Sequence, residues 1–241
     1  MNKESLRLKV SENVGNFLLE NVHRSVYGVN NLKAARDYLD NGSILFYFNH
    51  FSKLDAILYG KIIRDYLTSF QNTAAVGSFR HMDPSRGLFN KIQSQLIEDW
   101  HENFGINTIS VIQEKDKKDY PNAEEFNSKA TRKVAKFLRE QGHVLAFSPE
   151  GTRSKVNELL PAEEGFEVIF RLGGKKVLAL PVAGIHSTIR PYNTQTKVFV
   201  GNPFSYDEIK KASEQSGKSV TELAMRRISA LLPQQNRGFY R

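Results

Sequence analysis

Ile44-Leu-Phe-Tyr-Phe-Asn-His-Phe-Ser-Lys-Leu-Asp55 is the stretch that decides the fold. Ile44 to Phe48 is a short run of β-branched and aromatic residues, which reads as a buried strand. It ends at Asn49-His50. Ser52 and Asp55 then form an S-x-x-D capping signal. An apolar helical pattern follows through Ala56, Ile57, Tyr59, Gly60, Ile63 and Leu67. The reading therefore puts His50 in a strand-to-helix turn and Asp55 in the first turn of the helix. Open α/β sheets place their chemistry at such carboxyl edges. A carboxylate there can fold back on the imidazole, hold one ring nitrogen as N–H and leave the other free as a base. The plainer alternative is a loop histidine followed by a helix N-terminal charge.

A second stretch has the same layout. His143 to Phe147 reads as a short buried strand and runs into Ser148-Pro-Glu-Gly-Thr-Arg-Ser154. Gly151 lets a ligand approach the backbone closely. Arg153 offers a planar fork matched to phosphate, and Thr152 and Ser154 add hydroxyls. Glu150, an anion beside a phosphate-binding pattern, reads as a holder of a glycerol hydroxyl or as an orienter of Arg153. Taken alone, the stretch reads as a polar turn with a surface Glu–Arg pair.

Asn49-His-Phe-Ser-Lys-Leu-Asp55 followed by Phe147-Ser-Pro-Glu-Gly-Thr-Arg-Ser154 resembles the glycerolipid acyltransferase family, most closely its 1-acyl-sn-glycerol-3-phosphate (lysophosphatidic acid) acyltransferase branch. The family's pattern is N-H-x-S-x-x-D, then F-x-E-G-T-R-S, then a strand carrying a proline. Leu180-Pro-Val-Ala-Gly-Ile185 stands at a fitting place for the last of these. The resemblance implies that His50 and Asp55 are catalytic and that Glu150, Gly151, Thr152 and Arg153 bind substrate. It also implies a glycerol-3-phosphate acyltransferase-like fold. One family segment departs. Where relatives have a strand ending in a phosphate-binding arginine, Val111-Ile112 is followed by Gln113-Glu-Lys-Asp116. Lys115 can supply the charge only as a point charge. Otherwise Lys115 to Lys118 are a solvated loop. Relatives often carry lysine before Gly165; here Glu164 stands there.

Composition bounds the rest. A chain of 241 residues can bury one substantial domain plus a small extension. No cysteine is present, so a disulfide scaffold, a thiol nucleophile and cysteine-ligated zinc are excluded. The sequence shows no metal-binding motif, P-loop or G-x-S-x-G elbow. Net charge is +8, which suits anionic partners: nucleic acid, an anionic membrane or phosphorylated substrates. Nucleic acid is disfavoured, because the basic residues are interspersed with acids and no recognition motif occurs. No segment approaches the ~18 apolar residues of a membrane span. Lys9, Glu12 and Asn13 interrupt the early apolar segment, so no signal peptide is expected.

Residues 4–22 read as an amphipathic helix with Leu6, Val10, Val14, Phe17 and Leu18 on one arc and Lys3, Arg7 and Lys9 near its start. It packs on the core, as single amphipathic helices mostly do, or docks at a membrane interface, a reading that the family resemblance raises. A helix over 31–39, a strand over 74–78, a helix through Leu88, Ile92, Leu96 and Trp100, and a strand over 108–112 follow. Residues 123–141 read as a helix with Ala130, Val134, Phe137 and Leu138 inward and Lys129, Arg132, Lys133, Lys136 and Arg139 outward. A helix through Phe166 to Leu172, strands over 177–180 and 197–200, and two helices capped at Ser205 and Ser219 complete the chain. His81 reads as a surface histidine, and His186, after the proline strand, as structural or as a lesser polar candidate.

The expectation is an α/β fold: a mixed, largely buried sheet covered by helices, with an N-terminal helical extension over 1–30 and an acyltransferase domain over 31–241. The expected activity moves a fatty acyl group from an acyl thioester to a hydroxyl of lysophosphatidic acid or a similar lysophospholipid. The alternatives are a glycerol-3-phosphate or other lysolipid acyltransferase, or a non-catalytic lipid-binding relative. No bound cofactor is expected; acyl-CoA or acyl-acyl carrier protein is the donor substrate. The expected location is cytoplasmic, peripheral at an anionic membrane face.

Overall fold

The computed structural model describes residues 22–52, 55–81, 107–188 and 194–241, with single positions at 9, 13, 16, 20, 83, 85, 87, 95 and 105. The amphipathic arc expected over 4–22 and the helix expected over Leu88 to Trp100 lie outside the described residues, as does the side chain of His81.

The chain runs β1 (Val22–Tyr27), α1 (Val29–Tyr38), β2 (Ser43–Phe48), α2 (Asp55–Tyr66), β3 (Thr73–Ser78), β4 (Asn107–Val111), α3 (Ala123–Arg139), β5 (Val144–Phe147), α4 (Gly165–Gly173), β6 (Val177–Thr188), β7 (Thr194–Val200), β8 (Phe204–Ser205), α5 (Tyr206–Ser216) and α6 (Val220–Leu231). The strands form one mixed sheet in the order β1-β7-β6-β2-β5-β3-β4, with β8 also on β6. β6, β2, β5, β3 and β4 are mutually parallel, and β7 runs against β6. The expected mixed, helix-covered sheet is therefore present.

β2 is the centre of this arrangement. All six of its residues are buried, and both neighbours are parallel to it. That explains its apolar run without alternation: helices cover both faces of a parallel sheet. On one face, Ile44, Phe46, Phe48, Leu180 and Val182 pack with Leu58, Tyr59, Ile62 and Ile63 of α2 and with Leu32 and Ala35 of α1. On the other face, Leu45, Tyr47, Ala179 and Ala183 pack with helices α3, α4 and α6 through Leu138, Phe166, Phe170 and Ile228. The alternation of odd and even residues between the two cores is the period-two geometry of a strand.

α3 has the predicted faces: Ala130, Val134 and Leu138 are buried, and Lys129, Arg132, Lys133, Lys136 and Arg139 are exposed. Ser205 and Ser219 accept from the backbone N–H groups of Glu208 and Glu222, so both predicted caps form. Two elements differ from the sequence reading. Val22–Tyr27, which the division at residue 30 places in the extension, pair along β7 as an edge strand. β6 runs twelve residues rather than stopping at Leu180. Pro181 lies within it, level with Tyr47 of β2, and its carbonyl accepts from Gly201 N just past the end of β7.

Candidate active site

Parallel strands share one carboxyl edge. The segments after β2, β3, β4 and β5 therefore converge, and they carry His50, Arg80, Lys115 and Glu150 respectively. β6 overshoots this edge. Phe48, the last residue of β2, is level with Val182, so Gly184 and His186 lie beside the turn that holds Asn49 and His50. By strand alternation they face the same side as Val182, where α2 packs.

Asp55 stands at the start of α2 and is 1% exposed. Its Oδ2 accepts from His50 Nδ1 at 2.9 Å and from the backbone N–H groups of Phe51 and Ser52, each at 2.8 Å. The bond from Ser52 N is half of the predicted capping box. Its Oδ1 accepts from His186 Nε2 at 2.6 Å. Burial pushes the Asp55 carboxyl up, but the hydrogen bonds from His186 and His50 outweigh it and hold the group below the usual carboxylate range. Asp55 is thus an anion and an acceptor only. It fixes the proton of His50 on Nδ1. The His50 side chain is 32% exposed, and its Nε2 has no hydrogen-bond partner among the described residues.

Asn49 locks the turn. Its Nδ2 donates to Gly184 O at 3.0 Å and its Oδ1 accepts from Gly184 N at 2.8 Å, a two-bond clasp between β2 and β6. Tyr59 closes over this pair, and a Cβ on Gly184 would lie 2.5 Å from its hydroxyl. A glycine is needed there for close approach rather than for a special backbone angle.

The second stretch is tied to the first by two bonds. Ser154 N donates to His50 O at 2.9 Å, and His50 N donates to Glu150 Oε1 at 2.8 Å. Glu150 Oε2 accepts from Leu160 N at 2.9 Å, and the residue is only 2% exposed. Both carboxylate oxygens are thereby occupied by backbone. Glu150 is a brace between three segments, which replaces the expected contact with a glycerol hydroxyl or with Arg153. Burial raises its carboxyl to about 7, against the lowering effect of those two bonds.

Thr152 and Arg153 are exposed on the same turn, and Arg153 makes no ion pair among the described residues. Lys115 sits in a 3-10 turn over Glu114–Asp119 rather than in a free loop, and its Nζ donates to Thr152 Oγ1 at 3.0 Å. Gly151 has φ of +60°, and a Cβ there would lie 2.6 Å from Glu163 Oε1. Lys115, Thr152, Arg153 and Glu163 thus form a polar rim beside His50. Deeper in, Ser78 Oγ, Ser148 Oγ and Asp116 Oδ2 are buried without a partner among the described residues, at the carboxyl ends of β3, β5 and β4. Asp116 Oδ1 accepts from Arg80 at 2.8 Å.

Backbone amides near the start of α2 are the groups that could serve a developing oxyanion. Those of His50, Phe51 and Ser52 donate to Glu150 and Asp55. Lys53 and Leu54 lie outside the described residues. Among the described residues, no group of acidic, histidine or cysteine side chains could hold a metal.

No family model matches the chain, and no curated protein matches it. Among solved structures, it is similar to the 1-acyl-sn-glycerophosphate (LPA) acyltransferase PlsC from Thermotoga maritima, with a TM-score of 0.52 and 16% identity over 97% of this chain and 85% of that one. The chain has the fold of that acyltransferase. Among the described residues, no helix is long and apolar enough to cross a membrane.

The sequence reading missed three parts of the site. It takes His186 as structural or as a lesser polar candidate and Asn49 as the end of a strand, and it gives Arg80 and Asp116 no role. For His186 a signal existed. Leu180, Val182, Gly184 and His186 continue one strand face at period two, and that face carries the α2 core.

Proposed function

We propose that the protein is an O-acyltransferase that moves a fatty acyl group from a thioester to a hydroxyl of a lysophospholipid, with lysophosphatidic acid as the first acceptor to test. The observation that carries this reading is the His50–Asp55 pair: a buried anion on Nδ1 of a partly exposed ring whose Nε2 has no hydrogen-bond partner among the described residues. Nε2 would take the proton of the acceptor hydroxyl as its oxygen attacks the thioester carbonyl carbon. Asp55 would stabilise the resulting imidazolium. When the tetrahedral adduct collapses, the C–S bond breaks, and the thiolate leaves with the proton that His50 carried. No covalent acyl-enzyme is required.

The rim beside His50 fits a phosphorylated acceptor. Arg153 offers a bidentate fork, and Lys115 adds a second positive charge anchored on Thr152. Holding the phosphate there would set the distance of the acceptor hydroxyl from Nε2. The Ser78, Ser148 and Asp116 atoms that lack partners among the described residues favour a polar rather than a purely acyl occupant at this edge. The donor is acyl-CoA or acyl-acyl carrier protein. The site of action would be an anionic membrane face, reached through residues 4–22.

The test is thiol release from an acyl thioester, measured with and without lysophosphatidic acid, glycerol 3-phosphate and other lysolipids, for both donor types. Acceptor-dependent release with product formation supports the reading. Release without any acceptor, or none with the whole panel, contradicts it.

A further inference from the structure

We propose that His186 is a positioning residue, which holds the Asp55 carboxylate from the side opposite His50 and so fixes the direction in which Asp55 presents Oδ2. This rests on the acyl-transfer reading for its kinetic consequence, though not for its geometry.

Oδ2 is crowded: His50 Nδ1 and the N–H groups of Phe51 and Ser52 all converge on it. Oδ1 has a different environment. Among the described residues its hydrogen-bond partner is His186 Nε2, at 2.6 Å, and both side chains are 1% exposed. An unpaired carboxylate oxygen at that depth would be costly, so the histidine has a physical task. Without it the carboxylate would be free to turn about its Cβ–Cγ bond towards other donors. With it, both oxygens are pinned, and the plane of the group is set.

The hydrogen-bond pattern fixes the tautomer. Asp55 only accepts, so His186 Nε2 carries a proton. His186 Nδ1 lies 2.8 Å from Thr196 Oγ1, its cross-strand neighbour on β7. A hydroxyl can donate or accept, so Thr196 can complete a neutral ring by donating to Nδ1. A neutral ring is what the pair requires. A cation at His186 would cancel the Asp55 charge that stabilises the His50 imidazolium. Thr196 is therefore part of the device: it supplies a donor to Nδ1, and it is itself only 4% exposed.

The placement follows from the fold. β6 extends past the end of β2 and presents Val182, Gly184 and His186 on the α2 side. A β6 that ended level with β2 would leave Oδ1 without this partner.

Three variants and one spectroscopic measurement test this. His186→Gln keeps an N–H donor of similar reach; His186→Leu removes it at similar volume; Thr196→Val removes the hydroxyl. In acyl transfer, His186→Leu should lower kcat by roughly ten- to a hundredfold, the scale of a misplaced catalytic group, with both KM values within about twofold of the parent. His186→Gln should recover most of that loss. Equal losses in the Gln and Leu variants would mean that ring packing, not the donor, matters, and would overturn the proposal. So would an unchanged kcat in His186→Leu. Should the Leu variant not fold, nitrogen-15 NMR of the wild-type histidines near neutral pH decides. The proposal expects His186 protonated on Nε2 only, with Nδ1 unprotonated and its nitrogen-15 shift moved in Thr196→Val by loss of the hydroxyl's hydrogen bond. A doubly protonated or Nδ1–H ring in the wild type would overturn it. The NMR result stands whatever the substrate proves to be, so it separates failure of this proposal from failure of the acyl-transfer reading.

Discussion

Ser154 donates its backbone N–H to the carbonyl of His50 at 2.9 Å, joining two turns that lie roughly a hundred residues apart in the chain. Glu150 returns the link by accepting from His50 N. The two turns are thus joined by one backbone bond and one buried side-chain brace, which tie the backbone of Arg153 to that of His50. Proximity of this kind converts binding of a phosphate into orientation of a hydroxyl.

That link has a pH signature. Glu150 has a folded-state pKa of about 7 against an ordinary value of 4.5. The folded state therefore keeps this proton longer than the unfolded chain does. Between about pH 4.5 and about pH 7 the unfolded chain releases the proton first, so the site's contribution to stability falls as pH rises across that window. Glu150→Gln cannot titrate. Urea unfolding of both proteins across the window should show the Gln variant gaining on the parent as pH rises, by up to about 3 kcal/mol. A difference that does not change with pH would contradict the assignment.

Gly184 tests the clasp between the strands. Gly184→Ala places a methyl 2.5 Å from the Tyr59 hydroxyl, beside the Asn49 bonds. The overpacking should cost about 1–3 kcal/mol in denaturant unfolding. It should also lower kcat, because the displaced strand carries His186. A variant with parental stability would show that Tyr59 yields easily.

Arg153 tests the acceptor rim. Arg153→Lys keeps the charge and loses the fork, so steady-state kinetics should show the acceptor's KM rising more than the donor's. A rise confined to the donor's KM would move Arg153 to the donor site.

The N-terminal arc and the net charge of +8 predict salt-sensitive association with anionic vesicles. Co-sedimentation with neutral and anionic vesicles checks it. Equal pelleting with both would show that charge plays no part.

Much of this site was legible in the chain because its signals are local. Ile44 to Phe48 and His143 to Phe147 are apolar runs bounded by polar turns, and both are strands. Asp55 follows Ser52 at capping distance, so its fold-back on the turn could be read directly. The missing parts depend on pairings between distant segments. The alternation through Val182 and Gly184 carries a strand on to His186, but nothing local says that it meets Asp55, or that Glu150 meets backbone amides on two other loops. The edge strand Val22–Tyr27 has polar His23, Arg24 and Ser25 within it and becomes a strand only because β7 lies beside it.

The proposed chemistry stands on His50 as the base and Asp55 as its partner. The direct measurement is the acceptor-dependent transfer rate of His50→Ala, Asp55→Asn and the double variant, each confirmed folded by circular dichroism. General-base contributions are typically ~10²–10⁴-fold, so His50→Ala should fall to near background. Asp55→Asn should also be severe, because an amide cannot balance the imidazolium and can favour the wrong tautomer. Acting as a unit, the two should make the double variant little worse than either alone. A folded His50→Ala protein that transfers acyl groups at the parental rate would contradict the mechanism outright.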